Sequence, residues 1–98
     1  MKINISNEKL ADFCRRNHIR RLSFFGSVLR EDFGPTSDID VLVEFESRCT
    51  PGFLRLSLIE EELSILLENR KVDLVTEKFL NPRIRNRVIA ECEVGYAA

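Results

Sequence analysis

A strictly alternating stretch, residues 38 to 45, constrains the fold more than any other feature of the sequence. It interleaves two sets of side chains: Ile39, Val41, Val43 and Phe45, and Asp38, Asp40, Leu42 and Glu44. Alternation of β-branched and aromatic residues with a period of two is typical of a β-strand that buries one face. The chain is therefore predicted to build a β-sheet, and this strand places both aspartates on the sheet's other face.

The remaining pattern predicts helices on either side of such a sheet. The spacing of apolar residues and the turn-forming residues predict six further elements and a loose tail. These are a helix over residues 7 to 17, a strand over 20 to 25, a short helix over 28 to 33, a helix over 53 to 68, a strand over 71 to 75, and a last helix that opens at Asn81-Pro82 and ends at Gly95. The order α-β-α-β-α-β-α indicates an α/β or α+β domain with a small mixed sheet covered by helices.

Two of these helices have a predicted buried side. On the helix over residues 53 to 68 it consists of Leu56, Ile59, Leu63, Leu66 and Leu67, with Glu60, Glu61 and Glu62 facing outward. On the last helix it consists of Ile84, Val88, Ile89 and Cys92. A helix with one apolar side buries that side against a sheet, which agrees with the predicted sheet covered by helices.

Length and charge limit the class of protein. Ninety-eight residues fit a single domain over residues 1–98, and a net charge of −1 does not predict direct contact with nucleic acid. We expect no membrane segment, since no apolar run approaches about 20 residues. Three widely spaced cysteines are predicted to be free thiols in a reducing compartment, so a cytoplasmic protein is expected.

The predicted chemistry centres on carboxylates. Asp38 and Asp40 are two residues apart on a strand, so their side chains leave the same face. Neighbouring carboxylates repel each other unless a cation lies between them, and Mg²⁺ prefers such oxygen ligands together with substrate phosphates. If the next strand is adjacent, Asp73 joins them, and three carboxylates suit a two-metal site for phosphoryl or nucleotidyl transfer.

Phosphate-binding candidates precede these carboxylates in the sequence. Gly26 allows the backbone to approach a phosphate closely, the Ser27 hydroxyl can donate to a phosphate oxygen, and Arg30 can neutralise its charge. Each feature alone also has an ordinary structural explanation: a Gly-Ser turn, an aspartate that starts a strand, or an edge charge that discourages aggregation. Only their combined order and spacing favours one chemistry.

The combined pattern Gly-Ser-x-x-Arg-x₆-Ser-Asp-Ile-Asp, residues 26 to 40, followed by Val-Leu-Val, resembles the signature of the DNA polymerase beta-like nucleotidyltransferase superfamily. The short length and the later Val-Asp-Leu-Val strand resemble its minimal nucleotidyltransferase branch along nearly the whole chain. That branch is similar to the MntA-like antitoxins of HEPN/MNT toxin–antitoxin systems. The resemblance thus implies a nucleotidyltransferase fold.

The resemblance also implies roles for individual residues. Nucleotide contacts would come from Gly26, Ser27, Arg30 and Ser37, and two Mg²⁺ ions would be held by Asp38, Asp40 and Asp73. Asp73 would also help to activate the attacking hydroxyl. The implied reaction transfers AMP from ATP to a hydroxyl of a HEPN-domain toxin partner, and in this branch that hydroxyl is expected to belong to a tyrosine. An oligomer with that partner or with further copies is therefore expected.

Two alternatives remain open from the sequence. The chain could be a non-catalytic antitoxin that neutralises its partner toxin by binding, with structural aspartates. It could also transfer a nucleotide to a small molecule such as an antibiotic, although the single domain that is expected offers little surface for such a substrate.

Overall fold

Three α-helices and four β-strands form the part of the chain that the computed structural model describes, residues 3–30 and 33–98. In chain order they are α1 (Asn7–Arg16), β1 (Ile19–Phe25), β2 (Ile39–Phe45), α2 (Phe53–Leu66), β3 (Val72–Thr76), α3 (Pro82–Glu91) and β4 (Glu93–Ala97). Two short 3₁₀ turns, Gly26–Leu29 and Glu77–Phe79, follow β1 and β3. No helix in these described ranges has the length and apolar character needed to cross a membrane.

The four strands form one mixed sheet in the order β3-β2-β1-β4, which confirms the predicted sheet with helices. β1 pairs antiparallel with both β2 and β4, whereas β2 and β3 run parallel. A parallel pair needs a crossover connection, and α2 supplies it here. In this register Asp40 pairs with Asp73 on one side and with Phe25 on the other.

Apolar side chains are buried on both faces of the sheet. The larger cluster joins residues of α1, α2 and the sheet, including Leu10, Phe13, Val41, Val43, Ile59 and Leu63. A smaller cluster on the other face consists of Leu42, Leu80 and Val88, packed against Phe25 and Val75. Burying one such side chain contributes about 1.5–3 kcal/mol, so the larger cluster carries most of the stability.

Side-chain caps define where two helices begin. The Ser6 hydroxyl accepts a hydrogen bond from Lys9 N at 3.4 Å, and the Asn81 side chain accepts one from Arg83 N at 2.9 Å. Pro82 lies in the first turn of α3, where its missing N–H costs nothing.

The positions of α1, α2 and the first three strands agree with the predicted ones to within about two residues.

The predicted short helix over residues 28 to 33 was wrong. The chain instead forms a 3₁₀ turn at Gly26–Leu29 and becomes extended at Arg30, whose N–H donates to Ser27 O at 2.9 Å. Residues 31 and 32 lie outside the described part of the chain. Arg30 has φ −109° and ψ 160°, outside the helical region, so no α-helix runs through this position.

The prediction for the C-terminus was also wrong. The last helix ends at Glu91, and Gly95 lies within β4, paired with β1, so the tail is part of the sheet. A Cβ at position 95 would lie 2.7 Å from Phe24 Cε2 and 3.2 Å from Leu10 Cδ2. The glycine is therefore needed because two core side chains pack against the strand at this point, and it does not terminate a helix.

Two predicted helix faces differ from the structure. On α3 only Val88 is buried, while Ile84 and Ile89 are 43% and 44% exposed, because the helix covers only the smaller cluster. On α2, Glu60 is half-buried and accepts a hydrogen bond from Leu74 N, and Glu62 accepts from the Asn17 side chain. These two glutamates join α2 to its neighbours and are not simply solvated.

Candidate active site

The turn after β1 brings the backbone of Gly26 against the side chain of Asp40. Gly26 has φ +74°, a left-handed conformation that glycine adopts without the steric cost borne by other residues. A Cβ at this position would overlap Asp40 Oδ2 and lie 3.2 Å from Asp40 Cγ. Gly26 is therefore required both by its φ and by the space that the Asp40 carboxylate occupies.

Three aspartates lie together where β2 and β3 begin. Asp38 directly precedes β2, Asp40 is its second residue, and Asp73 lies beside Asp40 in β3. Partial burial raises the pKa of Asp40, as do the negative charges of Asp73 and Asp38, while Arg30 opposes the rise. The structure therefore brings the three predicted carboxylates into one electrostatic cluster.

The cluster is open in this conformation. The carboxylate oxygens of the three aspartates do not all lie within 4.8 Å of one another. Lys71 Nζ lies 3.8 Å from Asp38 Oδ2, and both side chains are substantially exposed to solvent. A cation held by all three carboxylates would therefore require these side chains to change conformation.

The predicted phosphate-binding residues surround these aspartates. The Ser27 hydroxyl donates to the backbone carbonyl of Asp38 at 3.3 Å, which links the turn after β1 to the start of β2. Arg30 is exposed and close enough to Asp40 to lower the pKa of its carboxyl. The Ser37 hydroxyl accepts a hydrogen bond from Gly34 N at 3.1 Å and so shapes the loop before Asp38.

Arg70, which the sequence reasoning missed, holds the loop that leads to Asp38. Its Nη2 donates to the carbonyls of Gly34 at 2.6 Å and Ser37 at 3.1 Å. Its guanidinium also lies over the Phe33 ring, 4.5 Å from the centroid. A single arginine between a helix and a strand has no recognisable sequence pattern, because its role depends on a loop more than 30 residues away.

A cavity of about 470 Å³ opens beside Asp40. The Gly26–Leu29 turn and α3 form its walls, and its lining includes Arg30, Asp40, Ile84, Arg87 and Val88. Ile84 was predicted on the buried side of the last helix, and neither Ile84 nor Arg87 was predicted at the site. The sequence shows several arginines in the segment that forms α3, but only the fold shows which of them line the cavity.

Most of this chain, including the residues of the site, matches a known protein family. The family described as "Nucleotidyltransferase domain" matches residues 7–94, which include the Gly26 turn and all three aspartates. This chain belongs to the nucleotidyltransferase domain family. It is therefore an enzyme of the nucleotidyltransferase kind, as the sequence signature predicted.

Two relatives carry more specific names. A protein of Methanocaldococcus jannaschii, named "Putative protein adenylyltransferase MJ0435", is 33% identical over 92 residues, which cover 93% of this chain and 95% of that protein. "Protein adenylyltransferase MntA" of Thermococcus cleftensis is 38% identical over 73 residues, which cover 74% of this chain and 71% of that protein. The nucleotidyltransferase domain thus resembles both relatives over most of their length.

Solved structures share the fold of this nucleotidyltransferase. One, described as "Structure of putative minimal nucleotidyltransferase", has a TM-score of 0.71 at 36% identity and covers 88% of this chain and 85% of that chain. Another, described as "Crystal structure of the toxin-antitoxin with AMP-PNP", has a TM-score of 0.75 at 20% identity, covering 96% and 75%. At that identity the second likeness concerns the fold alone.

Proposed function

We propose that this nucleotidyltransferase transfers AMP from ATP to a hydroxyl of a partner protein and thereby acts as an antitoxin. The observation that carries the proposal is the cluster of Asp38, Asp40 and Asp73 beside a cavity bordered by Gly26 and Arg30. A nucleotidyl-transfer centre needs carboxylates that can hold two metal ions, and this cluster provides three of them. The cavity gives a nucleotide access to these carboxylates.

The donor set of the cluster fits Mg²⁺. Three carboxylates supply hard oxygen ligands. Burial and, after it, the negative charges of Asp73 and Asp38 raise the pKa of Asp40, and a bound cation would favour its ionised form. Asp38 and Asp40 would hold two ions, and Asp73 would complete the site of one of them. When bound, the ions would favour ionisation of the attacking hydroxyl and neutralise charge on the phosphates.

The cavity beside Asp40 has the size of a small-molecule site. Ligand pockets commonly enclose about 300–1,000 Å³, and this one encloses about 470 Å³. Ile84 and Val88 give it an apolar wall that suits a nucleoside, and Arg30 brings positive charge for the triphosphate. Arg87 also lines the cavity, where it is paired with Glu91 at 3.3 Å. In the proposal, Gly26 keeps this approach to Asp40 free of side-chain atoms.

The proposed reaction is a single displacement at the α-phosphorus of ATP. The acceptor hydroxyl oxygen forms a bond to the α-phosphorus while the bond from that phosphorus to the bridging oxygen of the β-phosphate breaks. Pyrophosphate leaves with the bonding electron pair, and the carboxylate of Asp73 accepts the hydroxyl proton. Arg30 counters the negative charge that gathers on the phosphates.

The acceptor is proposed from the names of similar proteins. Both relatives are named protein adenylyltransferases, and a protein of the same fold was solved as a toxin–antitoxin complex with AMP-PNP. Another such structure is described as the toxin–antitoxin MntA-HepT, with a TM-score of 0.66 at 19% identity, covering 94% of this chain and 70% of that chain. These names support a toxin partner as the acceptor. That the partner is a HEPN-type toxin and that a tyrosine hydroxyl is the attacking group are part of the proposal and come from the resemblance of the sequence.

The test is label transfer with the partner encoded by the adjacent gene. Purified chain, partner and Mg²⁺ are incubated with ATP labelled at the α-phosphate or, in parallel, at the γ-phosphate. The proposal predicts partner labelling from the α-labelled nucleotide alone, and loss of that labelling in Asp38→Asn and Asp73→Asn. Labelling from the γ-position, or undiminished labelling by either variant, would refute the proposed reaction.

A binding-only antitoxin is the second candidate, and one surface favours it. Phe53, Leu54 and Phe79 are 79%, 88% and 63% exposed, and the rings of Phe53 and Phe79 lie 6.1 Å apart. Large exposed apolar side chains commonly mark protein contacts. This Phe53 surface lies where β2 and β3 end, whereas the aspartates lie where the same two strands begin. Neutralisation of the toxin by Asp38→Asn, without label transfer, would favour this candidate.

A further inference from the structure

Three potential metal ligands of different chemistry converge far from the aspartates. His18 follows α1, Glu46 follows β2, and Cys49 lies in the connection to α2. One ligand atom from each of these side chains lies within 4.8 Å of the other two. Across residues 3–30 and 33–98, this is the one group of three such side chains that meets that distance.

The distance between two of the ligand atoms suits a tetrahedral metal ion. His18 Nδ1 lies 3.4 Å from Glu46 Oε2. Zinc bonds to nitrogen and oxygen of about 2.0–2.2 Å at a tetrahedral angle place those two atoms about 3.3–3.6 Å apart. The observed 3.4 Å, which is also an ion-pair distance between these exposed side chains, falls within that range.

Backbone hydrogen bonds hold the three residues together independently of their side chains. Glu46 N donates to His18 O at 2.8 Å, and Cys49 N donates to Glu46 O at 2.9 Å. His18 has φ +57° and Arg48, directly before Cys49, has φ +65°. Such left-handed conformations carry a steric cost in residues other than glycine, and here they fix the directions in which the His18 and Cys49 side chains leave the backbone.

The ligand chemistry selects the metal. An imidazole nitrogen, a carboxylate oxygen and a thiolate sulfur together suit Zn²⁺ and are a poor set for Mg²⁺, which takes oxygen ligands. His18 and Glu46 have side chains that are 62% and 51% exposed, so water can reach the fourth position. Binding would release the Cys49 thiol proton to solvent, because the thiolate is the ligand.

We propose that His18, Glu46 and Cys49 form a zinc-binding site that ties the start of β1 to the end of β2. The site is separate from the aspartate cluster, since six residues of extended chain, about 20 Å, separate Asp40 from Glu46. A domain of 98 residues has a limited core, so a metal that joins two central strands would raise its thermal stability. This role does not depend on the proposed nucleotidyl transfer.

The test is titration of the purified, reduced chain with Co²⁺ as a spectroscopic substitute for Zn²⁺. A cobalt–thiolate bond gives a near-ultraviolet charge-transfer band that cobalt bound to aspartates lacks, so the two sites are distinguished in one experiment. The proposal predicts one such band per chain, displaced by one equivalent of Zn²⁺. It further predicts that Zn²⁺ raises the melting temperature.

Variants locate the ligands. Cys49→Ser should abolish the band, His18→Ala should weaken cobalt binding by at least about tenfold, and both should lose the Zn²⁺-dependent rise in melting temperature. Cys92→Ser is the matched control, because this half-buried thiol lies outside the group and its loss should leave the band unchanged. Circular dichroism of each variant without metal checks that it is folded. Absence of the band in the wild type, its persistence in Cys49→Ser, or its loss in Cys92→Ser would overturn the proposal.

Discussion

Replacing Gly26 with alanine should damage the proposed reaction far more than it damages the fold. The new Cβ would overlap Asp40 Oδ2 and lie 3.2 Å from Asp40 Cγ, while position 26 keeps φ +74°. The overlapping atom is the end of a flexible side chain, so the carboxylate can rotate away at small energetic cost. Rotation removes it from the position it shares with the other aspartates, and this impairs the proposed metal site.

The size of each effect follows from these contacts. An alanine forced into the left-handed region costs roughly 1–2 kcal/mol, which is the expected loss of unfolding free energy. For a domain of this length that loss corresponds to a fall of about 4–16 °C in melting temperature. Displacing a reacting group by about 1 Å can cost about 100-fold in rate, so AMP transfer should fall by about that factor.

The assay pairs urea unfolding with the initial rate of AMP transfer at a temperature where Gly26→Ala remains folded. Gly34→Ala is the matched control, since a Cβ there would meet nothing within 4 Å and Gly34 does not have a positive φ. The control should keep its stability to within about 0.5 kcal/mol and its rate. A Gly26→Ala protein that transfers AMP within about twofold of the wild-type rate would refute the reasoning.

Three further predictions concern the same site. Arg70→Met removes two hydrogen bonds from a charged group to the loop before Asp38, so urea unfolding should show a loss of about 1–3 kcal/mol and kcat should fall. Asp73→Asn should abolish AMP transfer yet stabilise the metal-free protein by up to about 1 kcal/mol, because it removes a like charge beside Asp40. Because the folded-state pKa of Asp40 is raised, ionisation of Asp40 should cost the metal-free protein stability as pH rises from about 3.9 through that pKa, whereas Glu62, whose folded-state pKa is lowered, contributes in the opposite direction. In unfolding curves measured across this range, the free energy of unfolding of the wild type should therefore fall relative to that of Asp40→Asn.

Strands and helices with strong local patterns were predictable from the sequence. The alternation around Val41 and Val43 gave β2 its correct bounds, and the helical spacing of Ile59 and Leu63 located α2. From the sequence, Asp73 was expected to join Asp40 only if the strand that carries it is the neighbour of β2. The structure shows that β2 and β3 are parallel neighbours and that Asp40 pairs with Asp73.

The features that the sequence did not reveal depend on contacts between distant residues. Gly95 was interpreted as a helix end because glycine often has that role, whereas here Phe24 and Leu10 pack against it within a strand. Ile84 was placed in the core because its spacing is helical, yet it borders the cavity beside Asp40. Arg70 stabilises a loop through carbonyl groups, which every residue carries, so no side-chain pattern could identify its partners.

The most direct test of the central claim is the intact mass of the partner protein after incubation with the chain, ATP and Mg²⁺. We expect a mass increase of one adenylyl group, or a whole number of them, that fragmentation places on a tyrosine, and no increase when Asp38→Asn replaces the wild-type chain. An unchanged partner mass in a stable complex with the wild-type chain, or an equal increase with Asp38→Asn, would contradict the claim that these aspartates carry out nucleotidyl transfer.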